Sequence, residues 1–290
     1  MRIFRTPQRT AFEIVNYILF ALFSVTIIIP FLHALAISFS SPDAVLQSRV
    51  TIWPIEFQTR AYRIILTNSV FLRSFLNTVV ITIVKTTLSI SICLAAGYAL
   101  ASRHFVGVRI AFLFILIPMY FSGGLIPTYL TVSAYGLNNT YGALVLPNLI
   151  TIFYVIVFRN AIARLPQEIM ESAEMDGASE ITILVRIIVH LITPMIMAFT
   201  IFAAVQYWNE WFNVLIYVRD RSKWTLQYTL RDIYLNPMLS GTDALLIERP
   251  LNPQNLIMAA MMCTVLPIIV IYPFLQRFFI HGALVGAVKG

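Results

Sequence analysis

Two short segments of this chain concentrate the side chains that could do chemistry. The first, Glu171-Ser172-Ala173-Glu174-Met175-Asp176-Gly177-Ala178, is a polar, acidic island between two long apolar stretches. Its carboxylates offer a grip to a partner in water, and Gly177 permits the left-handed turn at which one helix ends and another begins. The second, Tyr207-Trp208-Asn209-Glu210-Trp211, interleaves aromatic rings with an amide and a carboxylate. Flat rings stack on the apolar faces of sugars while amides and carboxylates bond hydroxyls. An aromatic belt that anchors a helix at the membrane surface has the same composition, so both readings stand at this level.

Other chemistry is thinly represented. His33, His104, His190 and His281 lie far apart and lack the spacing of metal ligands. Cys93 and Cys263 both sit in apolar runs, which fits small core residues and implies neither a disulfide framework nor a metal site. The sequence holds no His-Glu-x-x-His and no Gly-x-Ser-x-Gly. A Gly-x-x-x-x-Gly-Lys-Ser/Thr phosphate loop is also absent. The expectation is therefore no catalytic residue, no metal and no cofactor on this chain.

The elements that must position the two segments are set by composition. Of 290 residues, 59% are hydrophobic and only 11% charged, with a mean hydropathy of +0.82. A soluble domain carries about a quarter charged residues, so this is a membrane composition. Its net charge of +7 is scattered over loops and forms no basic stripe, which argues against nucleic acid. Six apolar stretches, near 14–38, 71–100, 109–131, 138–159, 194–218 and 256–280, are long enough to span. Each is expected to be helical, because hydrocarbon offers no partner to an open backbone. The predicted fold is an all-α, polytopic membrane protein with six transmembrane helices and a helix-turn-helix elbow.

Details along the spans sharpen this. The run after Arg2, Arg5 and Arg9 is too long for a signal peptide and reads as an uncleaved first span. Lys85, with Thr82, Thr86, Thr87, Ser89 and Ser91, makes a polar stripe on the second span that should face protein or a water-filled cavity. Gly123-Gly124 and Pro127 mark a bend late in the third span, either a packing kink or a gating hinge. The segments 39–70 and 219–255, on the side opposite the N-terminus, contain Trp53-Pro54, Trp224, Tyr228 and Tyr234 and read as ordered caps or partner contacts. Lys and Arg divide almost evenly between the two sides, so the positive-inside rule only weakly favours cytoplasmic termini.

Around the acidic island, Leu165-Pro166 is expected to open a helix with Glu168 and Glu171 early in it. Leu165, Ile169 and Ala173 form its apolar stripe. Asp176-Gly177 breaks it, and Ser179 caps a second helix with Glu180 in its first turn. Ile181, Leu184, Val185, Ile188 and Leu191 recur at three and four, predicting the buried face of that second helix, with Arg186 off it.

The island resembles the coupling signature of bacterial ABC importer permeases, a Glu-Ala-Ala, two variable residues, Asp-Gly-Ala, then a hydrophobic helix ending in spaced prolines. Glu171, Ala173, Asp176, Gly177, Ala178 and Pro194 match it. Ser172, Leu184 and His190 depart from it, which leaves the exit of the second helix open. Gly123-Gly124-Leu125-Ile126-Pro127-Thr128-Tyr129-Leu130 and Trp208-Asn209-Glu210-Trp211 are similar to the second permease of oligosaccharide importers, particularly the branch that includes alginate systems.

The resemblance implies a type I importer with residues 1–70 as an N-terminal transmembrane helix and external segment. Residues 71–282 would be its transmembrane core, with the coupling elbow at 164–193, and 283–290 a cytoplasmic tail. It implies a homologous permease subunit, two ATPase subunits carrying ATP and magnesium, and an extracytoplasmic solute-binding protein. It places the chain in the bacterial cytoplasmic membrane with both termini inside. Glu171, Ala173, Asp176, Gly177 and Ala178 would couple to the ATPase, and Tyr207, Trp208, Asn209, Glu210 and Trp211 are the substrate-path candidates. The competing reading is a stand-alone carrier driven by an ion gradient, which usually needs intramembrane carboxylates and internal repeats that are not evident here.

Overall fold

The computed structural model describes residues 7–102, 106–236 and 252–287. Arg2, Arg5, His104, positions 237–251 of the second long connection and the last three residues of the expected tail lie outside them. Every regular element among the described residues is helical. Helix α1 spans Pro7–Phe39, α2 Pro42–Leu46, α3 Arg60–Thr67 and α4 Ser69–Ala101. Next come α5 (Val108–Tyr120), α6 (Leu125–Ala134), α7 (Gly142–Val145) and α8 (Ile152–Ile162). Then follow α9 (Gln167–Met175), α10 (Glu180–Thr182), a π-helical stretch Ile183–Ile188 and α11 (Val189–Leu191). The series ends with α12 (Thr193–Trp208), α13 (Phe212–Tyr217), α14 (Leu226–Leu235) and α15 (Pro253–Ala287).

Three helices are long and apolar enough to cross a membrane alone, within Thr10–Ser38, Ser69–Ala101 and Pro253–Val270. Two further candidates are bent: α5 and α6 meet at 115°, and Glu180–Leu191 meets α12 at 86°. The bend after α5 falls at Gly123-Gly124, where Gly124 takes φ of +83°, a conformation that costs glycine little.

Besides the bent third, two more expected spans are not continuous helices. The fourth, 138–159, breaks because Pro147 lacks an amide to donate and Asn148 turns left-handed at φ of 56°. What remains is the single turn of α7 and then α8, whose eleven residues rise about 16 Å, well short of a bilayer's apolar core of about 30 Å. The fifth, 194–218, is interrupted between α12 and α13 at Asn209–Trp211.

The chain forms two compact units, Met1–Ser69 with Leu230–Leu266, and Val70–Thr229 with Pro267–Gly290. In the first, the outward positions of α1 are large and apolar (Phe12, Ile18, Phe20 and Phe23 are all exposed), which lipid accommodates and water would not. Its last carbonyls find a donor in Asn255 Nδ2, 2.7 Å from Ile37 O and 2.9 Å from Ser40 O. On α3, Tyr62 bonds Ser38 and stacks on Phe39, and burial pushes its hydroxyl above the ordinary tyrosine range.

The second unit is organised by α4. Ser74, Thr78, Thr82, Lys85, Thr86 and Ser89 recur at three and four along one face and are all buried, while Ile83, Val84 and Leu88 point outward. The polar stripe thus faces protein, as a lysine at that depth requires. Lower on α4, Gly97 lets α8 approach closely: a Cβ there would lie 2.8 Å from Phe158 Cβ and 3.0 Å from Arg159 N.

Candidate functional site

The acidic island is a polar surface on an apolar footing. Helix α9 ends in a paired closure, Gly177 N to Glu174 O at 2.9 Å and Ala178 N to Ala173 O at 3.0 Å, with Gly177 at φ of +76°. This is the 6→1, 5→2 arrangement that lets a glycine satisfy a helix's last carbonyls. Ser179 then caps the next helix, its Oγ accepting from Thr182 N, with Glu180 in the first turn. Among the expected coupling residues Ala173 is buried, Ala178 half-buried, and Glu171, Asp176 and Gly177 are exposed.

The buried face beyond the turn differs from the periodicity argument. Ile188 is buried and Leu184 half-buried as expected, but Ile181 is 75% exposed, and Val185 and Leu191 are also exposed, whereas Ile183 and Ile192 are buried. The cause is the π-helical stretch Ile183–Ile188, whose i→i+5 bonding widens the turn and brings residues five apart onto one side. Leu165 just before α9, and Met170 and Ala173 on it, pack on the same core as Phe158 and Ile162, while Ile169 faces out.

Between this turn and the ends of α4 and α8 lies a cleft of about 540 Å³ lined by Tyr98, Arg159, Glu171, Glu174 and Glu180 among others. Tyr98 donates its hydroxyl proton to Glu180, tying α4 to the helix after the turn. Arg159 lies over the Phe112 ring at 4.9 Å and donates to Leu100 O at 3.4 Å. Among the described residues the cleft presents three carboxylates and one cation beside an exposed turn.

The Tyr207–Trp211 segment is built differently. Tyr207 is buried and donates to Ser89 Oγ at 3.1 Å. Trp208 is buried, meets Phe75 edge-on at 6.1 Å, and its Nε1 has no hydrogen-bond partner among the described residues. Asn209 is exposed and accepts from Gln227 Nε2 at 2.9 Å. Glu210 Oε1 accepts from Phe212 N at 3.1 Å and Asn213 N at 3.2 Å, capping α13, and its carbonyl accepts from Thr225 Oγ1 at 2.9 Å. Trp211 is half-buried. The five residues are thus brought together at a helix break, two turned inward and three reaching its surface.

Sequence reasoning missed what supports that break. Lys85 Nζ donates to Leu144 O at 2.8 Å and lies 4.8 Å from the Tyr207 ring centroid. Asn77 Nδ2 donates to Ser222 O and Trp224 O, and Thr78 Oγ1 accepts from Leu226 N, so the chain after α13 is sewn to α4. Lys85 and the threonines advertised that they needed partners; their partners lie too far along the chain for any periodicity to reveal.

No family model matches the chain. It is 37% identical over 286 residues to Protein LplC of Bacillus subtilis, covering 98% of this chain and 97% of that protein. The polygalacturonan/rhamnogalacturonan transport system permease protein YtcP of the same organism is 32% identical over 283 residues, 96% of this chain and 98% of YtcP. The chain belongs to the permease family of ABC importers. Among solved structures, a bacterial ABC transporter involved in the import of the acidic polysaccharide alginate superimposes with a TM-score of 0.89 at 26% identity, over 96% of this chain and 99% of that one. This permease is accordingly a multi-pass membrane protein and a transport subunit. Membership leaves the stand-alone, ion-gradient-driven reading without support.

Proposed function

We propose that this permease forms half of the translocation pore of an ATP-driven importer for oligosaccharides, with acidic, alginate- or polygalacturonan-type sugars as the favoured class. The partners in this reading are a homologous permease, two ATPase subunits that carry ATP and magnesium, and an extracytoplasmic solute-binding protein. The membrane is the bacterial cytoplasmic membrane, and both termini lie on its inner side. The sugar class rests on full-length likeness to YtcP and to a subunit of the alginate importer, whose named substrates are both uronate-rich polymers.

One observation carries the coupling role: the exposed turn at Asp176-Gly177 projects from a buried apolar base. Beside it Met175 is 88% exposed and Ile181 75% exposed, a cost in water that a docked protein would remove. In this reading residues 164–193 act as a coupling elbow. Glu171, Asp176 and Gly177 meet the ATPase, while Ala173 and Ala178 hold the turn to the bundle. Movement of the elbow is passed to the pore because the ATPase binds its two states with different affinity when nucleotide is present. Along the path, Trp211 offers a ring to solute at the surface of the break, and Tyr207, Trp208, Asn209 and Glu210 shape the break that presents it.

Copurification from detergent-solubilised membranes tests the reading. An ATPase and a second permease should accompany the native chain, and the ATPase should be lost from an Asp176→Arg, Gly177→Pro variant. A native chain that emerges alone and still moves solute in vesicles would end it. For the sugar class, the reconstituted complex should take up labelled oligouronates in preference to neutral oligosaccharides of equal length; equal uptake would remove the acidic preference.

A further inference from the structure

We infer that Tyr98 and Glu180 are a pair of positioning residues, a strut that makes the elbow and α4 move together. The inference deepens the proposed function and rests on its coupling role, because it names the link through which movement at the elbow reaches the substrate path.

The elbow leans on the second unit through apolar side chains. Ala173, Ile183, Ile188 and Ile192 share one buried core with Ile90, Cys93, Leu94 and Leu100 of α4. Such burial resists separation, but it is non-directional and sets little against sliding or rotation. A hydrogen bond fixes direction as well as distance. Most side-chain bonds of the elbow are local: Ser172 to Glu168 O, Ser179 with Thr182, and Thr193 to Val189 O and His190 O. Among the described residues, one side-chain hydrogen bond crosses from residues 164–193 to the rest of the unit, donated by the Tyr98 hydroxyl to Glu180 Oε2. Its acceptor is a carboxylate, which puts it among the stronger kind.

Both ends of that bond are held in place. Tyr98 is half-buried, its ring packed on the shared core, and it follows Gly97, where α8 comes closest to α4. Glu180 stands in the first turn after the Ser179 cap, so the capped helix end sets where its side chain starts. From Tyr98, α4 runs unbroken back to Ser89, about two and a half turns earlier. Ser89 accepts from the Tyr207 hydroxyl at the break between α12 and α13. One continuous helix therefore carries both the strut and a support of the substrate-path segment. Displacement of the elbow drives α4 through the strut; without it the elbow slides on its apolar footing and the break stays where it is.

The test compares Tyr98→Phe, Glu180→Ala, Glu180→Gln and Tyr98→Phe/Glu180→Ala in the reconstituted transporter. Tyr98→Phe removes one hydroxyl and keeps the packed ring. It should still copurify with the ATPase and show the native basal rate of hydrolysis, while solute moved per ATP falls at least fivefold. Glu180→Ala should match that loss, and Glu180→Gln, which keeps an acceptor oxygen, should stay within twofold of the native chain. The double variant should lose no more than either disruptive single one, because all three break the same bond. Tyr98→Phe within twofold of the native chain, or a double variant that multiplies the two losses, overturns the strut. Hydrogen exchange on the permease alone needs no ATPase: amides of residues 180–192 should exchange at least fivefold faster in Tyr98→Phe, and unchanged protection overturns the strut. A native chain that brings no ATPase would instead end the importer reading, and the exchange comparison would then decide the strut by itself.

Discussion

The turn at 176–178 and the break at 209–211 both interrupt helices in a largely apolar chain, yet they dispose of their polar groups in opposite ways. At the turn, Glu171, Asp176 and Gly177 face outward, and the helix end is satisfied by its own glycine and by Ser179. At the break, Glu210 is spent on backbone amides, Asn209 on Gln227, and Tyr207 on Ser89 and Lys85. The difference teaches that a self-sufficient break keeps its charges for something outside the chain, and a break sewn to neighbours spends them on its own shape. Loss at the first should therefore appear in coupling, and loss at the second in folding and coupling together.

The largest effect that could break this contrast is at the turn. Asp176→Arg with Gly177→Pro reverses a charge and forces φ from +76° towards about −65°. Uptake should fall at least a hundredfold, while the thermal midpoint of the isolated permease falls only by the local cost of losing the Gly177 amide that closes α9. A midpoint that collapses along with transport would show the turn to be structural and erase the distinction.

Next in size is the base beneath it. Ile183→Ala should cost about 2–4 kcal/mol, because its side chain is fully enclosed. Ile181→Ala should stay within about 0.5 kcal/mol, because that side chain faces out. Chemical denaturation of the two variants in detergent compares them directly, and equal losses would restore the regular α-helical face that the π stretch displaces.

Helix α4 serves both regions, with Lys85 and Ser89 at the break and Tyr98 at the turn. Gly97→Ala adds a methyl 2.8 Å from Phe158 Cβ and 3.1 Å from Val155 O, where backbone cannot retreat. About 1–3 kcal/mol of stability should be lost, and an unfolding curve unchanged by the substitution would show α4 and α8 free to separate.

The smallest effect lies past the break, outside the candidate spans. Hydrogen bonds from Ser222, with help from Lys223, hold the Asp220 carboxyl down at about 2, below its ordinary 3.8. A depressed folded value means the stabilisation is present above about pH 4 and fades as pH falls towards 2. Asp220→Asn should flatten that acid limb of the unfolding profile, while a limb unchanged by the substitution would place the acid sensitivity elsewhere.

Legibility in the sequence followed the range of the interactions. The bend at Gly123-Gly124, the end of α9 at Gly177 and the Ser179 cap rest on contacts within a few residues, and each was readable. The buried polar stripe of α4 was readable as a need, since Lys85 and its neighbours recur at helical spacing. The interior break of the fourth expected span was hidden because hydropathy averages over Pro147 and Asn148. Part of the inward face after Ser179, at Ile183 and Ile192, was hidden because one changed hydrogen-bond register, Ile183–Ile188, departs from the regular α-helical repeat.

By itself the amino-acid sequence determined that this chain is helical and lipid-embedded, where glycine and proline interrupt it, and that one acidic turn must seek water. Those properties follow from local backbone chemistry and from the absence of polar partners in hydrocarbon. Only the tertiary structure decided that Lys85 answers a carbonyl 59 residues away and that Tyr207 answers a serine 118 residues away. Such pairings are chosen by which helices pack together, and no local preference encodes that choice.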